Sequence, residues 1–489
     1  MTTKHAKNAC VAGAPKSYWI GSAGASPSPC AARDISAISL HRNILLFYLA
    51  FFGLPLLAGE PATVMLYVAL VIASLSISVE LLLPLLLCAV LLKNITPSLY
   101  GFSPNVILLF TVCSIGILMI SGFRLGALRK KIRHYGGMSF LFLFLVFTFL
   151  TSFFGRDPEV SVLKLFNLFL LLIPCSLYFS KVRINSEIIG HVFHICTAIL
   201  LLSLTVSWQG SSYLVTNRTF PLFRGIMNHP QTFGVILAVF ASFLFCMRFF
   251  LKTRIARGQV TIVLILCLVE LLMSQCRTAV LALVFGLGIG VTLLPGQGVK
   301  NFMKYLTVFL LLGWILMTMV PQTRLFLLKT QEVDSGEISL DSLYGTRLSR
   351  IGGSLENFES SPLLGIGFGV PTVVQEWTYR YATILGVRLL VSVPTEKGNI
   401  FSALLEECGI LGTLLFAVWL FQFLLRCHEI NPPSFLFCPM VVLCLNFGEY
   451  SLTSLGGQGL LMWLFLLLGA QTYADDEQSV EGSNPMVLG

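Results

Sequence analysis

Charge is what this sequence has least of. Of 489 residues only 11% are charged against 56% hydrophobic, and the mean hydropathy is +0.84. A water-soluble domain carries about 25% charged residues, so a soluble globular enzyme is excluded. Cysteine occurs 13 times but never as CxxC, and Cys88, Cys113, Cys175 and Cys267 all fall inside apolar runs. Neither a zinc ribbon nor a disulfide framework is indicated, and these thiols read as small apolar packing residues. The nucleotide cradles GxGxxG and GxxxxGK[ST] are missing, as is the zinc motif HExxH. ATP-driven transport and zinc hydrolysis lose support accordingly, and no metal or cofactor is expected. The chain also shows no internal repeat or inverted pair of broken apolar segments of the kind common in transporters.

What is there is a series of apolar runs of about 17–22 residues, the length that crosses a bilayer as helix. They fall near 43–59, 61–79, 80–92, 104–122, 137–154, 160–180, 187–207, 229–247, 259–275, 278–294, 303–320, 400–425, 434–449 and 457–473. The run 80–92 is short and 260–294 can be cut differently, so twelve to fourteen spans are expected. Backbone groups in lipid must be satisfied within each segment, so the fold class is an all-α polytopic transmembrane bundle. Residues 1–42, rich in Ala, Ser, Gly and Pro, lack the apolar core of a signal peptide and read as a disordered cytoplasmic tail. Residues 43–320 then hold transmembrane helices, 321–399 one long loop, 400–473 the last spans, and 474–489 a second cytoplasmic tail.

The net charge of +9 sits mostly in short loops between spans, which is a topology signal and gives no nucleic-acid face. Arg124, Arg129, Lys130, Lys131 and Arg133 mark the loop 123–136 as cytoplasmic. Counting forward, 181–186 is internal and 208–228 external. The next internal loop, 248–258, holds Arg248, Lys252, Arg254 and Arg257, in agreement. The same count puts 208–228, the junction at Arg277 and the loop 321–399 on the outer side, with both chain ends cytoplasmic. Inside that loop Leu348, Ile351, Leu355 and Phe358 recur at helical spacing, predicting an amphipathic helix over 345–359 that ends before Pro362. It is suited either to the membrane interface or to the top of the bundle.

Three polar constellations stand at this outer face. Arg224, Asn228, His229 and Gln231 cluster where a loop enters an apolar run. Arg277 lies between two apolar runs, either as a snorkelling anchor or as a ligand for an anionic head group. Arginine presents a planar fork of donors suited to phosphate oxygens, and two on one face can clamp a diphosphate leaving group. His229 is either a general base or a group that bonds the start of a span. Asn228 as helix cap with Pro230 in the first turn fits the second reading. The third constellation runs from Pro394-Thr395-Glu396-Lys397-Gly398-Asn399 into Glu406-Glu407-Cys408-Gly409. Carboxylates there either activate a hydroxyl, pair with the arginines, or compensate a helix N-terminus. Glu270, alone inside a span, marks a polar network or an arginine partner.

Four motifs, in this order, resemble the O-antigen ligase and polysaccharide polymerase superfamily of bacterial inner-membrane proteins. They are Arg224-Gly225 with His229-Pro230 and Gly234; Ser274-Gln275-Cys276-Arg277-Thr278-Ala279; Arg347 followed by Ser361-Pro362-Leu363-Leu364-Gly365-Ile366-Gly367-Phe368-Gly369; and Asn399 followed by Glu407-Cys408-Gly409-Ile410-Leu411-Gly412. The motifs cover roughly 215–425. The resemblance implies a helical bundle with a large periplasmic loop that passes a glycan from undecaprenyl pyrophosphate to an acceptor sugar hydroxyl on a glycan or glycolipid, without a metal. It assigns pyrophosphate binding to Arg224 and Arg277, with Arg347 as a further candidate and Asn399 in the substrate site. Many ligases carry a histidine just before that asparagine, where this chain has Gly398. Glu396, Glu407 or His229 takes the part of that histidine, or the step needs no strong base. The substitution weakens a strict ligase reading and leaves room for a polymerase. A multi-span transporter or flippase of lipid-linked sugars is the competing class.

Overall fold

The computed structural model describes residues 41–95, 104–128, 137–209, 213–214, 222–251, 253–293, 340–373, 380–384, 387–392, 397–429, 435–453 and 458–471. The expected tails, the basic stretch 129–136, the span 303–320 and Glu396 lie outside these residues. The fold is an all-α helical bundle. Six of its helices are long and apolar enough to cross a membrane.

The first helix, α1 (Arg42–Ser76), has 35 residues. Straight, it would run about 50 Å, well beyond a hydrocarbon core of about 30 Å. It does not run straight. At Gly59 the backbone takes φ +70°, where a side chain would be strained, and the chain turns back. The first half carries Tyr48, whose hydroxyl meets His191, and the second carries Tyr67, which donates to the carbonyl of Ala89. The chain then continues through α2 (Leu82–Asn94), α3 (Pro104–Ala127), α4 (Met138–Ser152), α5 (Pro158–Lys181), α6 (Ser186–Thr205), α7 (Pro230–Phe250), α8 (Arg254–Met273) and α9 (Arg277–Thr292). The last four helices are α10 (Leu340–Ser360), α11 (Ile400–Glu429), α12 (Phe437–Asn446) and α13 (Gln458–Leu468). Two short antiparallel pairs, β1 (Tyr213–Leu214) with β2 (Leu222–Phe223) and β3 (Arg380–Ile384) with β4 (Val387–Ser392), lie in the connections. The long loop, expected to carry short amphipathic helices, holds the β3–β4 hairpin as well. Its Tyr-Ala-Thr-Ile and Val-Arg-Leu-Leu-Val runs are rich in the β-branched residues that favour strands.

Successive helices alternate between two ends of the bundle. At one end Arg124, closing α3, donates to the carbonyls of Ser74 (2.7 Å) and Ile77 (2.6 Å). Beside it Lys181, closing α5, donates to those of Leu125 (2.8 Å) and Leu128 (2.9 Å). These cations satisfy helix C-terminal carbonyls, a structural task in addition to any part in topology. Arg248, Arg254 and Arg257 belong to the same end, since they close α7 and open α8. The other end, called here the motif end, holds the starts of α5, α7, α9 and α11 and all three polar constellations.

Packing grades outward from α7. Its apolar window is 89% buried, against 67% for α6 and 22% for α1. Leu57, Met65 and Ile72 of α1 point outward, as lipid-facing residues must. Between α9 and α12 small residues set the approach: a Cβ on Gly286 would meet the backbone of Val441, and one on Gly290 the ring of Phe437. Close contact of this small-xxx-small kind supplies van der Waals attraction where lipid leaves no hydrophobic drive.

Candidate functional site

The Arg224 loop is bolted to three helix ends. Its Phe223 packs edge-on against Phe233, and Gly225 fits against Ser203 and the Phe233 ring, where a Cβ would collide. The amide of Ile226 donates to Ser203 Oγ (3.4 Å), and that of Asn228 to the carbonyl of Asn94 (2.9 Å). Arg224 itself stays half-exposed, with Nη1 donating to the Asn228 carbonyl at 3.3 Å. The backbone is thus fixed while the side chain is half-exposed.

His229, rather than Asn228, caps α7. Its Nδ1 accepts the Gln231 amide at 3.1 Å, with Pro230 in the first turn. His229 has the extended cap dihedrals (φ −146°, ψ 142°) directly before Pro230, the first helical residue. An Nδ1 that accepts carries no proton, so the ring nitrogen that would act as base is spent on the cap.

Arg277 opens α9 after a tight turn in which Gln275 is left-handed at φ +53° and Ser274 Oγ accepts the Cys276 amide. Cys276 rests on Gly234, at the first turns of α7, and a Cβ there would strike it. The Cys276 thiol also faces the Gln231 carbonyl at 3.9 Å. The first turns of α7 therefore support both arginine-bearing segments, the 224–229 loop on one side and the 274–277 turn on the other. Both guanidiniums are half-exposed. An arginine on the first residue of a helix adds its charge to free backbone N–H groups, a combination that favours anions.

A cavity of about 450 Å³ opens beside Arg224, between the first half of α1 and the end of α6. Leu49, Leu54, Leu56, Leu57, Leu202 and Val206 form its apolar wall, while Arg224, Gln209 and Thr205 are its polar members. A cavity with one cation and a hydrocarbon wall suits an amphiphile with an anionic head.

The third constellation is closed. Lys397 Nζ lies 2.9 Å from Glu406 Oε2 and 3.0 Å from Glu407 Oε1, and all three side chains have no solvent exposure. Glu406 also accepts from Asn357 Nδ2 (2.7 Å) and Thr372 Oγ1 (3.1 Å). Glu407 accepts from the Tyr450 hydroxyl (2.6 Å). Burial, then the adjoining Glu407 charge, raises the Tyr450 phenol well above its usual value, so it remains a donor. Lys164 of α5 feels both Glu407 and Lys397.

The same two glutamates hold the 361–369 loop through their backbone. The amides of Ile366 and Gly367 donate to the carbonyls of Glu406 and Glu407, and that of Ile410 to Pro362. Those carbonyls are free because α11 breaks at Gly409 (φ +62°), and Gly365 and Gly409 touch the opposing backbone with no room for a Cβ. The glycines of the third and fourth motifs thus form one interlock.

Asn399 caps α11, its Oδ1 accepting the Ser402 amide at 2.8 Å, so only its NH₂ remains to meet a ligand. Glu407, a sequence candidate for activating a hydroxyl, is enclosed by Lys397 and Tyr450 instead. Arg347 lies on α10, with its side chain outside the described residues. On α10 Ser354 is buried and Ile351, Asn357 and Phe358 are half-buried, while Leu355 of the expected apolar stripe is 42% exposed. The inner face therefore keeps Ile351 and Phe358 of that stripe and adds Asn357, which bonds Glu406. Glu270 meets neither a polar network nor an arginine: both its carboxyl oxygens lack a hydrogen-bond partner among the described residues. Among those residues no group of three or more His, Cys, Asp or Glu is placed to hold a metal ion.

The Lys397–Glu406 pair, Asn357, Thr372 and Tyr450 were not read from sequence as one cluster. The adjacent carboxylates Glu406-Glu407 at a span start were the available signal, since two such groups cannot be buried without a cation. No protein-family model matches this chain, and no curated protein matches it.

Proposed function

We propose that this chain is an integral-membrane glycan transferase, an O-antigen or exopolysaccharide polymerase or ligase, with undecaprenyl pyrophosphate as the glycan carrier. The observation that carries the reading is the half-exposed Arg224 at an apolar cavity, sharing the first turns of α7 with Arg277. The cavity wall suits the near end of a polyprenyl chain and the two guanidiniums suit its pyrophosphate. In transfer, an acceptor sugar hydroxyl attacks the anomeric carbon of the lipid-linked glycan. The bond from that carbon to the pyrophosphate oxygen breaks, and the carrier leaves with the electron pair. Arg224 and Arg277 stabilise the charge gained by the leaving group. Glu396 is the carboxylate candidate for receiving the hydroxyl proton, because Glu407 is enclosed and His229 Nδ1 is occupied.

The basic end of the bundle fits the cytoplasmic side of a bacterial inner membrane, with the motif end periplasmic and both chain ends cytoplasmic. A flippase of lipid-linked sugars remains the second reading, favoured by one observation: charged Glu406 and Glu407 are buried in α11 and paired with buried Lys397 just before it, as charges are in proton-coupled carriers. The test is the lipid-linked intermediate in strains carrying Arg224→Ala or Arg277→Ala. Single repeats on the carrier at the outer leaflet indicate a lost polymerase, and finished chains on the carrier a lost ligase. Wild-type surface polysaccharide in both variants, or flipping without transfer by the purified chain in liposomes, sinks the reading.

A further inference from the structure

The enclosed cluster joins four parts of the chain through side chains. Glu406 receives α10 through Asn357, the post-glycine loop through Thr372, and the segment before α11 through Lys397. Glu407 receives that same lysine and, through Tyr450, the connection between α12 and α13. Lys397 bonds two neighbouring carboxylates, Lys164 adds its charge beside Glu407, and Glu407 Oε2 has no hydrogen-bond partner among the described residues. Removing the Lys397 ammonium would leave adjacent anions in a sealed site with only the Lys164 charge near Glu407, a state that water or outward movement must relieve. The movable member is α10, which lies on the bundle, whereas α11 is threaded into it and the 361–369 loop is interlocked with α11.

We propose that Lys397 is a positioning residue that docks α10 on the motif end by pairing with Glu406 and Glu407 together, and that the docked α10 is needed for turnover. Resting on the transferase reading, the inference adds that the docked α10 completes the motif end for turnover. Lys397 touches no substrate; it acts through the helix it holds.

Ser354 reports docking directly. It is buried on α10, and its hydroxyl has no partner to lose among the described residues. A Ser354→Cys variant is therefore challenged with a membrane-impermeant maleimide in sealed vesicles, against the parent chain, whose described cysteines are buried except for half-buried Cys444. The thiol is expected to be protected when Lys397 is present and to label at least tenfold faster with Lys397→Met. In that variant, glycan transfer from lipid-linked repeats should fall at least tenfold while binding of the same donor is retained. The neutral triple variant Lys397→Met, Glu406→Gln, Glu407→Gln should restore protection, and transfer to within threefold. Protection unchanged in Lys397→Met, loss of donor binding in step with turnover, or a triple variant as defective as the single one would each overturn the proposal. Normal polysaccharide in a strain lacking the chain would strike the transferase reading instead, and the thiol measurement then judges docking alone.

Discussion

Two charged assemblies stand at the same end of this bundle, and they differ in what surrounds them. Arg224 and Arg277 sit on fixed backbones with half-exposed side chains and an apolar cavity alongside. Lys397, Glu406 and Glu407 are sealed, paired with one another and bonded by Asn357, Thr372 and Tyr450. A half-exposed cation can be reached by a ligand, whereas a sealed cluster can only hold its parts in place. The contrast teaches that in a chain so poor in charge, a charged side chain is understood by what neutralises it.

The sharpest break of the closed assembly is Gly409→Ala. A left-handed φ costs a side chain about 1–2 kcal/mol and overpacking about 1–3 kcal/mol, so the interlock with Leu363 and Leu364 should be lost. Thermal unfolding in detergent should show the largest drop of any substitution considered, and an unchanged midpoint would refute the interlock. On the open side, Arg224→Ala and Arg277→Ala should lower transfer about 100–1,000-fold, the usual loss for one electrostatic stabiliser of a transition state, with unfolding unaltered. Equal losses of stability and transfer would mean the arginines are scaffold after all.

Gly234→Ala probes the contact that joins the two arginine segments. It should push on Cys276 and reduce transfer about tenfold, as small displacements at a reacting centre do, and Cys276→Gly should recover it; absence of recovery separates Gly234 from the Arg277 turn. Gly53→Leu fills the cavity from the α1 side, where a Cβ meets only Leu202 at 3.6 Å. It should raise the KM for the lipid-linked donor several-fold at constant kcat, the mark of lost uniform binding. The smallest effect belongs to His229. Changing it to alanine should cost about 1 kcal/mol of cap stability, and changing it to asparagine almost nothing, with the pH profile of transfer unmoved in both. A moved profile would restore His229 as a base.

Most helices were legible because hydropathy is a local property. The run expected at 229–247 is Pro230–Phe250, that at 187–207 is Ser186–Thr205, and the division after residue 59 falls at the Gly59 reversal. The grouping of Arg224 with Arg277 at one end followed from counting spans, and alternation of the described helices repeats that count. Other features were not legible. Asn228 looked like the cap because its side chain suits one, yet the extended cap dihedrals belong to His229. The apolar stripe on α10 included Leu355, which is 42% exposed, while Asn357 bonds Glu406, 49 positions apart.

The sequence by itself determined the solvent of this protein, its all-helical class and the end at which its polar motifs gather. Each of these depends on the free energy of moving a short segment between water and hydrocarbon, which the segment's own residues set. The tertiary structure alone decided which charges remain open and which are sealed. That depends on neighbours: a carboxylate becomes scaffold when a buried lysine lies about 3 Å away, whereas Arg224 stays half-exposed beside a wall of leucines.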